Sequence, residues 1–337
     1  MIFKTDENIH IFINIDNNYA VPAYISLFSL IQNYKGSSDI VVYILSNDDL
    51  SLKNQQLIES LALNNNSLKL VFVDMGEEYK DVMINIGHIT YAAMYRLLIP
   101  RVVKKMNLRI NKCIYLDTDI IVEGDVSDLY NIDSEWNTYY CAGVLDPCCF
   151  EEKYKDYENK LNIPSMDRYI NSGVMLLNLK QIEQNGLTEE LVSAGYRNDF
   201  LHNDQDAINT VLYNGIKTIP LKFNVMRPLL YHNNNYISYR YSEAETIDAR
   251  NNPFIIHFID YQKPWTHKNV LMADRWWKYA RMQNSEIQKE YINPFVASYN
   301  AQFSEVLFEA IKTMLARLRI YDLISSTIKK IHKRFLK

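Results

Sequence analysis

Strand-length apolar segments alternate with helix-length periodic segments between residues 10 and 122, and this alternation limits the possible folds more than any other feature. The predicted strands are His10–Ile15, Ile40–Leu45, Leu68–Val73 and Lys112–Val122. The predicted helices between them are Val21–Ile31, Ser51–Leu63 and Thr90–Ile99. Neighbouring parallel strands require such crossover segments, and the helices then cover both faces of the sheet. The sequence therefore predicts an α/β fold with a mostly parallel sheet.

The second half of the chain is less regular. Further strands are predicted at Tyr139–Leu145, Val174–Leu179 and Phe254–Phe258, and further helices at Leu187–Phe200 and Asp206–Tyr213. A polar insert rich in Tyr and Lys spans Phe150–Asp167. The segment Tyr231–Asn252 is dense in Asn and Tyr and lacks apolar periodicity, so we expect it to be a long surface loop.

From Ala301 the pattern changes to apolar residues at helical spacing, and the last ten residues carry five Lys or Arg side chains and no acid. We therefore predict a main domain over residues 1–285, with halves of about 1–125 and 126–285, and a helical, basic, amphipathic tail over 286–337. A helix of this kind can lie on an anionic membrane surface. The alternative is a helix packed on the main domain or on a second subunit.

The charge balance argues against nucleic-acid binding. Lys and Arg total 36 against 40 Asp and Glu, so the chain as a whole lacks the basic field that dominates nucleic-acid affinity. No apolar run approaches the ~18 residues of a membrane span, and the first residues lack the features of a secretory signal. We expect a cytoplasmic protein, and we expect its four cysteines to be reduced because they form no C-x-x-C pair.

The nine glycines exclude two common modes of nucleotide binding. They lie at least nine positions apart, so neither the dinucleotide fingerprint nor the P-loop motif is present. If a nucleotide binds, a metal or side chains must therefore meet the charge of its phosphates.

Two carboxylates separated by one residue, Asp117 and Asp119, follow the buried run Cys113–Leu116. Side chains two apart on an extended chain point to the same side, and ligands of open α/β sheets bind at the carboxyl ends of strands. Oxygen ligands favour Mg²⁺ or Mn²⁺. The alternative is a polar turn after a core strand.

Four further polar clusters lie at or beside the ends of predicted elements. They are Asp16-Asn17-Asn18-Tyr19, Asn171-Ser172-Gly173, His202-Asn203-Asp204-Gln205-Asp206, and His257 with Lys263-Pro264-Trp265. Each has a structural alternative, namely a loop, a turn before a strand, a helix N-cap or a strand-end histidine. Their order and separation carry more information than any single cluster.

Together with His88 and Arg96, the four clusters and the Asp pair follow one another in an order that resembles glycosyltransferase family 8. The resemblance covers about residues 8–268. The resemblance implies a retaining enzyme with a Rossmann-like GT-A sheet, similar to the bacterial lipopolysaccharide galactosyl- and glucosyltransferases. It implies a nucleotide-sugar half at 1–125 and an acceptor half at 126–285. It also implies a UDP-hexose donor, carrying galactose or glucose.

The resemblance also implies roles for individual residues. Uridine would be bound by Asp16, Asn18 and Tyr19. Mn²⁺ or Mg²⁺ would be bound by Asp117, Asp119 and His257. The rest of the donor would be contacted by Arg96, Thr118, Asn171 and Lys263. The hexose-facing catalytic set would be Asp146, Asp204 and Gln205, with Gln205 below the anomeric carbon, and His88 would border the acceptor.

Two positions depart from the family pattern. Asn17 stands where a second Asp is frequent. Asp260 stands where Gly is common, and a carboxylate there would repel a phosphate unless it turned outward.

The expected reaction moves the hexose to a saccharide acceptor of a bacterial surface glycan, lipopolysaccharide or capsule, and this acceptor could be lipid-linked. Double displacement and front-face attack both remain open. The tyrosine-rich segments suit sugar faces, but they can equally form contacts of a homo-oligomer.

Two alternatives to the hexosyltransferase remain: a catalytically silent carbohydrate- or nucleotide-sugar-binding protein, and a sugar-phosphate nucleotidyltransferase. The second would need a glycine-rich basic loop after the first strand, which Asp16–Tyr19 does not offer.

Overall fold

A computed structural model of the chain describes residues 8–47, 49–63, 65–79, 91–132, 136–147, 154–227, 240–299 and 303–318. Its strands are β1 (Ile9–Asn14), β2 (Ile40–Ser46), β3 (Leu68–Asp74), β4 (Cys113–Leu116), β5 (Ile120–Val122), β6 (Cys141–Leu145), β7 (Ile170–Leu177), β8 (Ile216–Thr218), β9 (Val225–Met226) and β10 (Ile255–His257). Seven of them form one sheet in the order β3-β2-β1-β4-β7-β6-β8. The sheet is parallel except that β7 runs antiparallel to β4 and β6. The prediction of a mostly parallel sheet is confirmed.

Helices cover both faces of this sheet. The first eight are α1 (Ala20–Asn33), α2 (Leu52–Glu59), α3 (Ile99–Lys105), α4 (Val126–Tyr130), α5 (Tyr157–Leu161), α6 (Leu179–Gln184), α7 (Leu187–Ala194) and α8 (Asn203–Val211). Side chains alternate along a strand, so Ile11 and Ile13 of β1 pack with α1 and α2, whereas Phe12 packs with α7 and α8. The two resulting cores explain why the strands are apolar throughout.

Later helices span Glu243–Asn251, Ala273–Arg281, Ser285–Ile287, Asn293–Ala297 and Phe303–Arg317. The last of these confirms a C-terminal helix, while the basic residues 328–337 lie outside the described part of the chain. Among the described residues, none of the helices combines the length and the apolar character that crossing a bilayer requires.

Cys113 and Cys141 are buried and free, and burial raises the pKa of both thiols, so they are inert core residues. Cys148 and Cys149 lie outside the described residues.

A second, three-stranded sheet joins the first at the Asp pair. Its order is β5-β10-β9, with β10 antiparallel to β5 and parallel to β9. The predicted single strand Lys112–Val122 is therefore wrong in one respect: the chain leaves the large sheet after Leu116 and enters the small one at Ile120. The residues between them, 117–119, occupy the junction of the two sheets.

Three other predicted elements need correction. The strand predicted as Val174–Leu179 spans Ile170–Leu177, so Asn171-Ser172-Gly173 lies inside β7 and the alternative of a turn before the strand is not observed. Within Tyr231–Asn252, residues 231–239 are outside the described residues, but Glu243–Asn251 is a helix with a Ser242–Glu245 capping box, so this part is not a loop. The segment predicted as the helix Thr90–Ile99 is a 3₁₀ helix over Tyr91–Leu98 followed by α3, which begins with Pro100 in its first turn.

Candidate metal centre and its polar surroundings

Asp117, Asp119 and His257 converge where the two sheets meet. One ligand atom from each lies within 4.8 Å of the others. Backbone pairing places them: the Asp117 N–H donates to the Gly173 carbonyl at 2.7 Å, and His257 pairs with Ile120 across β5 and β10. The cluster therefore follows from strand register and does not depend on flexible loops.

Asp119 is a buried carboxylate with two different oxygen environments. Its Oδ2 accepts from Lys263 Nζ at 2.6 Å, and Lys263 Nζ also donates to the Phe258 carbonyl at 2.6 Å. Its Oδ1 is buried, makes no hydrogen bond of good geometry and lies 3.1 Å from His257 Nε2. Burial alone would raise the pKa of Asp119, but Lys263 and His257 outweigh it and hold the pKa below its ordinary range.

His257 is oriented from behind by an amide. Its Nδ1 lies 3.1 Å from Asn224 Oδ1, and Asn224 Nδ2 donates to Asn171 Oδ1 at 2.9 Å. Because Asn224 Oδ1 is an acceptor, Nδ1 carries a proton, and Nε2 is the nitrogen that faces the carboxylates. The 3.1 Å separation of Nε2 and Asp119 Oδ1 calls for a proton or a cation between them. The donor set of two carboxylates and one imidazole fits Mn²⁺ or Mg²⁺.

Asp117 is fixed by an arginine and a tyrosine. Its Oδ1 accepts from Arg96 Nη2 at 2.8 Å and from the Tyr115 hydroxyl at 2.7 Å, while its Oδ2 lies 3.6 Å from His257 Nε2. A side chain at position 173 would collide with this arrangement, because a Cβ there would lie 2.5 Å from Asp117 Oδ2. Glycine at 173 therefore makes room for the ligands.

Arg96 connects the Asp117 side of the cluster to α8. Its guanidinium is buried, donates to the Ser172 carbonyl and hydroxyl at 3.0 Å each, and lies 3.1 Å from Asp204 Oδ2. Burial would lower its pKa, but Asp117 and Asp204 outweigh this and raise the pKa, so Arg96 stays charged. Burial raises the pKa of Asp204, although Arg96 opposes the rise.

Gln205, Asn171 and Asp146 form a connected polar group beside Arg96. Asn171 Nδ2 donates to Asp146 Oδ2 at 2.8 Å and to Gln205 Oε1 at 3.2 Å. Gln205 Oε1 also accepts from the Ser172 N–H at 3.1 Å. The residues 146, 171, 204 and 205 predicted from the sequence are thus brought together around the beginning of β7.

Asp206 explains why Asp204 and Gln205 are available to this network. Its carboxylate accepts from the hydroxyls of Tyr157 and Tyr169 at 2.6 Å each and from the His202 N–H at 2.8 Å. This residue anchors the start of α8, whose N-cap is His202 without a side-chain cap bond, so the alternative of an N-cap role for the cluster is not observed. The two preceding side chains are therefore free of that structural role.

The loop after β1 lies at the same edge of the sheet. Asp16 Oδ1 accepts from the N–H groups of Asn18 at 2.9 Å and Tyr19 at 3.0 Å. Tyr19 meets the Trp265 ring edge-on with centroids 6.2 Å apart. Burial raises the pKa of the Tyr19 hydroxyl, and the Asp119 carboxylate adds to the rise.

The remaining predicted positions are accounted for as follows. Thr118 is buried between the two aspartates. Asn17 donates to the Asp49 carbonyl at 2.7 Å, a bond that an Asp could not make. Asp260 is exposed and adopts φ 68°, the left-handed conformation that glycine favours. His88 lies outside the described residues.

Sequence reasoning assigned no role to three residues of this site. Asn224 orients His257, Tyr115 fixes Asp117, and Ser172 links Arg96 to Asp204 through a 3.0 Å hydrogen bond from its hydroxyl. Tyr115 alternates with Asp117 along the strand, which is a usable signal. Asn224 reaches the site only through tertiary packing and has no such signal.

The profile of glycosyl transferase family 8 matches residues 10–269 of the chain. The chain belongs to glycosyl transferase family 8. It is similar to General stress protein A of Bacillus subtilis (strain 168), with 25% identity over 273 residues, 78% of this chain and 89% of that protein. It is also similar to a lipopolysaccharide 1,2-glucosyltransferase of Escherichia coli, with 28% identity over 256 residues, 74% of this chain and 71% of that protein.

Solved structures share its fold. The galactosyltransferase LgtC, in complex with donor and acceptor sugar analogs, has a TM-score of 0.67 at 22% identity, covering 83% of this chain and 99% of that one. The bifunctional glycosyltransferase WbbM has a TM-score of 0.71 at 21% identity, covering 87% of this chain and 52% of that one. These likenesses confirm the predicted GT-A fold. The match to the family profile confirms the predicted family, and with it the prediction that the chain is a glycosyltransferase.

Proposed function

We propose that this family-8 member is a metal-dependent, retaining hexosyltransferase that moves galactose or glucose from a UDP-sugar to a saccharide. The observation that carries the proposal is the cluster of Asp117, Asp119 and His257 beside Lys263 and the Gln205 network. When bound, Mn²⁺ or Mg²⁺ would supply positive charge to the diphosphate. Within this proposal residues 1–125 form the nucleotide-sugar half and residues 126–285 the acceptor half.

Residues of the chain bind and orient the donor in this proposal. Asp16, Asn18 and Tyr19 hold the uridine, with Tyr19 stacking on the base. Lys263 holds the diphosphate, because its ammonium already lies between Asp119 and the Phe258 carbonyl at the cluster. Thr118 lines the diphosphate between the two aspartates.

Negative charge grows on the leaving phosphate oxygen as the bond to C1 breaks. Lys263 stabilises that charge more in the transition state than in the ground state. Arg96 holds Asp117 and Asp204 in place, and in this proposal it also reaches the donor sugar or its phosphate. Asp146, Asn171, Asp204 and Gln205 bind the hexose hydroxyls.

Retention of configuration requires a double displacement or a front-face attack. In the front-face route Gln205 lies below C1. It is a weak nucleophile, because the lone pair of an amide nitrogen is delocalised. The buried Asp204, whose pKa is raised, lies next to it in the chain.

The proposed acceptor is a saccharide of a bacterial surface glycan, and a lipid-linked acceptor is one form of it. Support comes from the relatives named lipopolysaccharide 1,2-glucosyltransferase. We place acceptor recognition on His88, Phe150–Asp167 and the Tyr231–Asn252 segment. The same aromatic segments would serve a homo-oligomer contact in the alternative arrangement.

We also propose that the cytoplasmic enzyme associates peripherally with an anionic membrane through its C-terminal helix. Leu307, Ile311, Met314 and Leu318 are 39–59% exposed and recur every three or four residues, so they form one apolar stripe. An adjoining side of this helix packs through Leu315 and Phe308 against Leu271. The stripe is thus left for another apolar surface, and the basic residues that follow would meet anionic headgroups.

A donor panel tests the enzymatic proposal. The full-length protein is incubated with individual UDP-sugars and Mn²⁺, and slow hydrolysis of the donor is scored by mass spectrometry. Hydrolysis of one UDP-hexose supports the proposal. Binding without turnover of any donor favours a silent nucleotide-sugar-binding protein, and pyrophosphate release from UTP with a sugar 1-phosphate favours a nucleotidyltransferase; either result would overturn it.

A further inference from the structure

Residues 285–299, which follow the family-matched part of the chain, pack beside the loop of Asp16 and Tyr19. Ile292 is 3% exposed, and Phe295 packs against the main core. Lys53 of α2 donates to the Glu290 carbonyl at 3.1 Å and lies over the Tyr291 ring at 4.9 Å. The segment is therefore an integral part of the same face as the first loop.

A row of aromatic rings leads from this segment to Tyr19. The Tyr19 and Trp265 centroids are 6.2 Å apart, those of Trp265 and Phe295 5.9 Å, and those of Phe295 and Tyr299 5.2 Å. All three separations fall within the range of stabilising aromatic pairs. Trp265 is 3% exposed, so its ring is held between Tyr19 on one side and Phe295 on another.

Tyr299 also lies within electrostatic reach of the first loop. Burial raises the pKa of its hydroxyl, the Asp16 carboxylate adds to the rise and the Trp265 indole opposes it. Its ring remains 36% exposed. Tyr299 thus sits at the rim of the Asp16 and Tyr19 loop and not in the core.

We propose that Phe295 and Tyr299 are positioning residues of the donor site, which hold the Trp265 ring against Tyr19 and thereby fix the surface on which the nucleobase stacks. The inference rests on the proposed function. Trp265 follows Lys263 by two residues, so the same contact also fixes the segment that carries the diphosphate-binding ammonium. Donor affinity therefore depends on residues beyond 10–269, the part that the family profile covers.

Calorimetry on full-length variants tests this. UDP is titrated in the presence of Mn²⁺, and Mn²⁺ is titrated alone, into wild type, Phe295→Ala, Tyr299→Ala and Tyr299→Phe. Tyr291→Ala is the matched control, because it removes a ring of the same segment that faces Lys53 and not Trp265. We expect Phe295→Ala and Tyr299→Ala each to weaken UDP binding about threefold to tenfold, which is the usual energetic scale of an aromatic pair.

Affinity for Mn²⁺ alone should be unchanged in all variants, Tyr299→Phe should keep most of the UDP affinity, and Tyr291→Ala should match wild type. Unchanged UDP affinity in Phe295→Ala and Tyr299→Ala overturns the inference while leaving the proposed function intact, and so does an equal loss in Tyr291→Ala. If Phe295→Ala does not fold, the partly exposed Tyr299 decides the question. Failure of the wild type itself to bind UDP overturns both the proposed function and this inference.

Discussion

Gly173→Ala should disable the metal-ligand cluster while leaving the sheet in place. A Cβ at position 173 would lie 2.3 Å from His257 Cε1 and 2.5 Å from Asp117 Oδ2, against an ordinary contact distance of at least 3.4 Å. To restore that distance, His257 Cε1 would have to move 1.1 Å away from the new Cβ and Asp117 Oδ2 0.9 Å away from it.

Neither ligand can move freely. Arg96 holds Asp117 at 2.8 Å, and Asn224 holds His257 at 3.1 Å. Overpacking of this kind typically costs about 1–3 kcal/mol of stability. Disturbed ligand orientation typically costs about 10–100-fold in metal affinity, and we expect a loss of that size.

The assay is calorimetric titration of Mn²⁺ into the full-length protein after removal of metal with EDTA, paired with thermal unfolding. Gly143→Ala is the matched control in the neighbouring strand β6, since its Cβ would lie 2.7 Å from the Ile170 Cδ1 methyl and its three nearest atoms all belong to Ile170 and not to a carboxylate of the cluster. The control should lose stability but keep its Mn²⁺ affinity. Wild-type Mn²⁺ affinity in Gly173→Ala, or an equal loss of affinity in Gly143→Ala, would refute the reasoning.

The remaining predictions concern the cluster, its arginine, the base and the tail. Asp119→Asn should abolish transfer while the protein still folds, because the amide oxygen can accept from the same ammonium; full activity after EDTA treatment would contradict a metal requirement. Arg96→Lys should cost about 3 kcal/mol in urea unfolding, since it leaves the half-buried Asp117 and the buried Asp204 without their shared guanidinium, and a loss below about 1 kcal/mol would argue against that role. UDP should bind more tightly than GDP or ADP in calorimetry with Mn²⁺, and equal affinities would exclude a dedicated uracil pocket. Met314→Asp with Leu318→Asp should weaken binding to anionic liposomes about tenfold or more, whereas Leu63→Asp, at a 78% exposed apolar residue elsewhere, should not; a wild-type protein that ignores liposomes at low salt would show that the tail has another role.

The strands β1 to β4 and the Asp pair were predictable because their signals are local. Apolar runs such as Ile40–Leu45 differ from the observed strand by one residue. The alternation of runs and helices sets the parallel connections, since each crossover is encoded in consecutive residues. The order of the polar clusters along the chain was equally sufficient to identify the family.

Only the tertiary structure decided how those clusters meet. The break between β4 and β5, which turns Asp117 and Asp119 toward His257, depends on pairing with β10, more than 130 positions later in the chain. The Asn224 contact to His257 likewise comes from a distant segment. Such contacts leave no periodicity in the sequence, because they arise from the packing of separate elements and not from the repeat of one. The sequence by itself therefore determined the elements and the chemistry available at their ends, whereas packing determined which side chains share a site.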